Sequence, residues 1–242
     1  MAEDGRQQGL YDAQFEHDAC GTGFVASLRG GPSHDIVAQG ITILQNLVHR
    51  GASGDDGRTG DGAGILVQIP DAFLRRECAG LGIALPPAGG YGVGMFFLPV
   101  EPARREACRE RLAGLAAAEG HPLLGWREVP VNPDALGAGA RARQPHIVQA
   151  FFDGHGADSG RLERQLYLIR RQFERFAADA PGLRELAYAP SLSGRTLVYK
   201  GMMLGNQLAE FYADLANPAF VSAAAVIHQR YSTNTFPSWQ LA

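Results

Sequence analysis

In the run Asp18-Ala-Cys-Gly-Thr-Gly-Phe, Cys20 opens a short apolar stretch of Phe24, Val25, Ala26 and Leu28. Its composition predicts a strand over 20–28 that starts at the thiol. Gly21 and Gly23 leave the first residues of that strand without bulk, so a substrate has room to reach the sulfur. Were the chain cut between Ala19 and Cys20, the same residue would carry a free α-amine. Its pKa would be about 7.7–8.0 beside about 8.5 for the thiol, and one residue could then supply both nucleophile and general base. The competing reading of Cys20 is a small buried hydrophobe.

A substrate held for attack at Cys20 must also be oriented, and a carboxylate on it calls for arginine, whose planar fork binds both oxygens at once. Two arginines stand at suitable places. Arg50 sits where a helical pattern runs out into a glycine loop, although a cation there is also favoured by the helix macrodipole alone. Arg230 directly follows a small-residue apolar strand and precedes Tyr231, Ser232, Thr233, Asn234 and Thr235. That run offers more hydroxyl and amide groups than a turn requires. Between the two arginines lies 51–64, with six glycines, Asp55, Asp56, Asp61 and Arg58. It lacks the Lys-Ser/Thr ending of a phosphate-binding P-loop, its aspartates would repel phosphate, and no glutamate closes a calcium loop. It reads as a flexible or closely packed loop.

The elements that must position these residues follow from pattern. Ser33 is an N-cap for a helix with Ile36, Val37, Gly40, Ile41, Leu44, Leu47 and Val48 at helical spacing, ending near His49-Arg50-Gly51. Strands are expected at 65–69, 91–98, 126–131, 146–152, 195–200 and 220–227. Helices are expected after Pro70, over 101–119, over 159–178 and over 202–215, with a Gly-, Ala- and Arg-rich connection at 136–144. In the 159–178 helix, Leu162, Leu166, Ile169, Phe173 and Phe176 share one face, and the arginines form a solvated one. Strands with and without intervening helices point to layered sheets with helices outside.

The 242 residues, 45% hydrophobic and 19% charged, suit a globular protein of one large domain or two small ones. A formal charge of -3 gives no basic footprint, which argues against nucleic acid as a partner. The polar residues 1–9 lack the apolar core of a secretory signal, and no run approaches the length of a membrane span, which points to the cytoplasm and away from membranes. Cys20, Cys78 and Cys108 have no C-x-x-C spacing, so neither a disulfide framework nor a zinc or iron–sulfur site is indicated. Cys78 and Cys108 are read as structural. Residues 1–19 read as a loose leader.

Four segments in order, Asp18-Ala-Cys-Gly-Thr-Gly-Phe, Leu47-Val-His-Arg-Gly-Ala, Thr59-Gly-Asp-Gly-Ala-Gly-Ile and His228-Gln-Arg-Tyr-Ser-Thr-Asn-Thr-Phe-Pro-Ser-Trp, carry a resemblance. From about Tyr11 to Ala242 the chain resembles the N-terminal class II glutamine amidotransferase domain of the bacterial glutamate synthase large chain. The resemblance implies an α+β fold, a four-layer αββα sandwich like that of N-terminal nucleophile hydrolases. It implies a leader over 1–19 that is removed, with 20–242 the N-terminal portion of the glutaminase domain. Cys20 would then be nucleophile and, through its freed amine, base. Arg230 would grip the α-carboxylate of L-glutamine, with Arg50, Ser232, Thr233 and Asn234 shaping the pocket.

In the complete enzyme the same resemblance implies transfer of ammonia to 2-oxoglutarate. FMN and an iron–sulfur cluster would lie elsewhere in the large chain, NADPH/FAD or ferredoxin would be the electron source, and the glutamate synthase small subunit or ferredoxin would be the partner. No motif for these cofactors is visible in 1–242. An Asn-Gly pair supplying oxyanion donors and an aspartate for the substrate amine are expected after Ala242. Without those donors, each worth on the order of 10²–10³ in rate, residues 1–242 alone are expected to be poorly active. Two alternatives remain: an amidotransferase feeding ammonia to a different acceptor, and a non-catalytic module that binds an amino acid.

Overall fold

The computed structural model describes residues 20–232 and 235–242. The leader over 1–19 and the two candidate residues Thr233 and Asn234 lie outside the described residues.

In chain order the elements are β1 (Gly21–Ala26), α1 (His34–Asn46), β2 (Ala63–Gln68), α2 (Asp71–Gly80), β3 (Tyr91–Leu98), α3 (Pro102–Ala118), β4 (Leu123–Glu128), α4 (Ala138–Arg141), β5 (His146–Asp153), α5 (Ser159–Asp179), β6 (Tyr188–Ser193), β7 (Thr196–Gly201), α6 (Leu208–Phe211) and β8 (Ala224–Gln229). The strands form two antiparallel four-stranded sheets, ordered β1-β8-β2-β7 and β4-β5-β3-β6. This is an α+β fold. The short β6–β7 connection carries the chain from the second sheet to the first.

Helix α1 forms where Ser33 accepts the Ile36 amide at 3.4 Å and where Ile36, Val37, Gly40, Ile41 and Leu44 make one buried face. That face lies on the first sheet. A Cβ on Gly40 would sit 3.0 Å from the Ala225 Cβ and 3.2 Å from the Ile65 Cδ1, so the helix can approach so closely only with glycine at 40. The helix ends at Asn46, and a 3-10 turn over Val48–Arg50 follows. Arg50 is thereby delivered to the end of the first sheet. The outer face of the second sheet, with Phe96, Leu98, Val148, Ala150 and Phe152, is covered by α3 and α5. Both helices are capped by carboxylates, Glu101 on Ala103 and Arg104, and Asp158 on Gly160 and Arg161.

The two sheets are tied by a buried polar network. Arg127 on β4 grips Asp214 through both terminal guanidinium nitrogens, Nη1 and Nη2, at 2.8 and 2.7 Å. Asp214 also accepts from the Tyr199 hydroxyl on β7 at 2.7 Å, and Gln149 on β5 bonds both Arg127 and Tyr199. Cys78 and Cys108 are fully buried free thiols, and burial pushes each up to about 11.

Two expectations need correction. A single helix over 202–215 does not form; the segment is a 3-10 turn at Gly205–Gln207, α6, and a second 3-10 turn at Ala213–Ala216. Tyr212 leaves helical geometry at φ −99° and ψ 99°, which sets its ring edge to face with Tyr199, centroids 5.0 Å apart, and lets its hydroxyl donate to the Lys200 carbonyl at 2.8 Å. Tertiary partners override helix propensity there. No strand is expected over 188–193, yet β6 forms there with Pro190 inside it; β6 is an edge strand, where a missing amide is tolerated. Ala189 and Pro190 together oppose Phe96, a bulge between the pairs Phe97–Tyr188 and Met95–Ser191.

The face of the first sheet opposite α1 carries a cross-strand apolar row of Phe24, Val226, Leu66 and Val198. Phe24 is 76% exposed and Val226 49% exposed. The next row toward Cys20 is Thr22, His228, Gly64 and Lys200. Among the described residues no helix is long and apolar enough to cross a membrane.

Candidate active site

The antiparallel pairing of β1 with β8 sets Gly21 opposite Gln229. The residue before β1 and the residues after β8 therefore meet at one end of the first sheet. Cys20, a free and partly exposed thiol, points its Sγ at the Tyr231 carbonyl oxygen, 3.8 Å away. Arg50 comes to the same end from α1: a Cβ added to Gly21 would lie 3.1 Å from the Arg50 Cβ and 3.2 Å from the Leu47 Cβ. Cys20, Arg230, Ser232 and Arg50, four of the residues singled out in the sequence, are thus neighbours.

The residues after β8 are held by the glycine-rich segment. The Arg230 amide donates to the Gly62 carbonyl at 2.8 Å, the Gln229 side-chain amide donates to the same oxygen at 3.2 Å, and the Ser232 amide donates to the Asp61 carboxylate. The segment itself is closely packed. The Gly54 amide donates to the Thr59 carbonyl at 2.7 Å, and the Asp56 carboxylate takes both the Thr59 hydroxyl and amide, at 2.6 Å each. Those bonds from Thr59, with a further one from the Arg58 amide, hold the Asp56 carboxyl far below the usual range. Arg58 in turn donates to the carbonyls of Asp134 and Ala135.

Three polar atoms at this end are buried and have no partner among the described residues: Gln229 Oε1, Arg230 Nη1 and Ser232 Oγ. Such groups are rare in a folded protein and call for water, an ion or a ligand. Arg230 Nη2 donates to the Thr235 hydroxyl at 2.5 Å, so one half of the guanidinium is fixed while Nη1 has no partner among the described residues. The local field is positive. Burial and then Arg230 push Lys200 down to about 8, and burial, Arg230 and Lys200 together lower His228. A substrate carboxylate would relieve that repulsion.

Reasoning from sequence passed over Gln229, Asp61 and Lys200 as site residues. Gln229 and Asp61 both stand inside motifs that had been noticed, and Asp61 is flanked by Gly60 and Gly62. That flanking was a usable signal, since a lone carboxylate between glycines suits the capping of a nearby main chain. Lys200 carried no signal beyond its place in a strand.

An α+β protein thus brings together, at one end of its first sheet, a free thiol just before β1, an arginine whose Nη1 has no partner among the described residues, and a glycine-rich segment packed against the same turn. Comparison with known proteins identifies the family. Residues 20–242 match the model for class-II glutamine amidotransferases, and the chain belongs to that family. It is 47% identical over 239 residues to the NADPH glutamate synthase large chain of Bacillus subtilis, covering 98% of this chain and 15% of that one. It is 43% identical over 228 residues to ferredoxin-dependent glutamate synthase 2 of Synechocystis, covering 94% and 14%. The NADH glutamate synthase of Saccharomyces cerevisiae is 41% identical over 247 residues, covering 98% and 11%. The chain therefore spans about one seventh or less of the length of these relatives.

Proposed function

We propose that this chain is the glutaminase part of a glutamate synthase large chain, with Cys20 as the nucleophile and L-glutamine as the ammonia donor. The observation that carries the reading is the thiol of Cys20 beside a turn whose Arg230 Nη1 and Ser232 Oγ are buried without a partner among the described residues. Arg230 takes the α-carboxylate, Ser232 adds a hydroxyl, and Arg50, Thr233 and Asn234 complete the pocket wall. Residues 1–19 act as a leader, and 20–242 form the N-terminal portion of the domain. The family match beginning at Cys20 supports that boundary.

The chemistry is balanced without a cofactor. The Cys20 thiol passes its proton to the freed α-amine and attacks the side-chain carbonyl carbon; the C–N bond breaks, and the α-ammonium gives the proton to the departing ammonia. Water then cleaves the thioester, restores the thiol and releases glutamate. In the complete enzyme ammonia is passed to 2-oxoglutarate for reductive glutamate synthesis. FMN and an iron–sulfur cluster belong to other parts of the large chain, with NADPH/FAD or ferredoxin as electron source and the small subunit or ferredoxin as partner. The described residues do not fit a cluster: Cys78 and Cys108 sit on separate helices, and no group of three His, Cys, Asp or Glu is placed to hold a metal.

The finer architecture is a four-layer αββα sandwich. Its support is the apolar row of Phe24, Val226, Leu66 and Val198, which suits the stacking of a further sheet on the face opposite α1.

The test is made on the full-length protein. Mass spectrometry of its N-terminus should find Cys20 first, a glutamine-like electrophile should label that sulfur, and Cys20→Ala should abolish release of ammonia from L-glutamine. An uncut leader with no adduct on Cys20, or undiminished release by Cys20→Ala, overturns the proposal.

A further inference from the structure

Asp61 is 7% exposed, lies between two glycines and is not needed as acid, base or nucleophile in the reaction above. Its surroundings admit no slack. The Asp61 amide donates to the Ala52 carbonyl at 3.2 Å, closing the glycine segment on itself. Gly60 packs against the Met203–Leu204 main chain with no space for a side chain. Gly62 has φ +153°, and a Cβ there would fall 2.6 Å from the Ala242 Cα. The carboxylate between them is consequently fixed in direction, and it is aimed at one main-chain group, the amide of Ser232.

Ser232 is two residues past Arg230, and Tyr231 between them receives the Cys20 thiol. Holding the Ser232 amide on Asp61 and the Arg230 amide on Gly62 pins the turn at both ends. A carboxylate is the strongest acceptor a side chain offers to an amide, so the bond suits a turn that must not drift. We infer that Asp61 is a positioning residue, which sets the Arg230–Ser232 turn at the height where the guanidinium meets the α-carboxylate of an amino-acid amide. Asp61 does not touch the substrate, and the inference rests on the reading of Arg230 as the carboxylate grip.

The experiment uses the full-length chain with Cys20→Ala, so that binding is measured without turnover. Calorimetry compares L-glutamine with its α-carboxamide analogue, which has no carboxylate for Arg230 to hold. Two conservative variants are made in that background. Asp61→Asn keeps an acceptor oxygen in place and loses the charge, whereas Asp61→Glu keeps the charge and moves the acceptor by one methylene.

The expected result is that Asp61→Glu weakens L-glutamine about tenfold, the scale of one misplaced charge-assisted hydrogen bond, and the α-carboxamide less than about twofold. Asp61→Asn should recover most of the L-glutamine affinity. Equal losses for both ligands, or a variant series in which Glu is tolerated and Asn is not, overturns the inference. A merely structural role would weaken both ligands alike. Failure of the functional reading looks different: the Cys20→Ala parent, before any change at Asp61, would then bind L-glutamine no more tightly than its α-carboxamide, or would still release ammonia from it.

Discussion

The sulfur of Cys20 lies 3.8 Å from the carbonyl oxygen of Tyr231, a residue 211 positions further along the chain. Nothing local brings them together. The contact exists because β1 and β8 pair antiparallel from Gly21–Gln229 to Ala26–Ala224, which puts the first residue of one strand beside the loop that leaves the other. A one-residue slip in that register would send Cys20 to the opposite face. The thiol and the arginine turn are therefore set by the same ladder of hydrogen bonds.

Replacing Arg230 tests the carboxylate grip. Arg230→Lys keeps the charge but loses the fork, one side of which already holds Thr235. In the full-length protein KM for L-glutamine should rise by about 10- to 100-fold, with a smaller change in kcat. Steady-state ammonia release checks this; a KM within about twofold of wild type would remove Arg230 from the pocket.

Gly51 is a second point of leverage. Any side chain there would overlap the Gln229 side-chain amide, whose nitrogen holds the Gly62 carbonyl at 3.2 Å. Gly51→Ala should displace Gln229, loosen the turn that begins at Arg230 and destabilise the protein by about 1–3 kcal/mol. Urea unfolding and KM for L-glutamine should both move. Retention of both would mean that Gln229 has room to swing elsewhere.

Much of this arrangement was legible in the residues. The 3.6-residue spacing from Ile36 to Leu44 and the Ser33 cap define α1, and Tyr91–Leu98 is the strand its composition predicts. Cys20, Arg50, Arg230 and Ser232 could be singled out because each is a chemically capable residue beside an element end rather than inside one. Other features were set by contacts distant in sequence. The breaks at Gly205 and Tyr212 answer to Leu44, Lys200 and Tyr199, and the Pro190 strand is permitted only by its place at a sheet edge. Asp61 was visible as a carboxylate but not as a clamp, since its partner is a main-chain amide 171 residues away.

The Arg127–Asp214 pair makes a stability prediction independent of the site. Their side chains are only 4% and 2% exposed, so removing Asp214 takes both strong hydrogen bonds from a buried guanidinium and leaves it the partly exposed Glu77, 3.2 Å away, as its remaining carboxylate. Asp214→Ala should destabilise by about 3–5 kcal/mol. Replacing both, as in Arg127→Met with Asp214→Leu, should recover a large part of that loss. Chemical denaturation of the single and double variants measures the difference, and a double variant as weak as the single would show that Tyr199 and Gln149 depend on the acid.

Lys200 gives the pH prediction. Its ammonium donates to the carbonyls of Gln240 and Ala242 at 2.8 Å each, yet burial, then Arg230 and Arg170, push it down to about 8 from its ordinary 10.5. For a group whose pKa is lower in the folded state, the unfolded chain holds more protons between the two values, so stability rises with pH across that window. The contribution is full above 10.5 and is lost as pH falls through about 8. Cys78 and Cys108, raised to about 11, act oppositely above pH 9, where the unfolded thiols ionise first. The clean measure is thus the difference between wild type and Lys200→Met. Urea unfolding at pH 7.5, 9 and 10.5 should show wild type gaining on the variant by roughly 3 kcal/mol across the series. A flat difference would mean that the ammonium is hydrated in the folded protein. A carboxylate held at Arg230, as proposed above, would lessen the repulsion that helps lower this pKa. Saturating L-glutamate should therefore move the lower edge of the window upward, which links the titration of Lys200 to occupancy of the site.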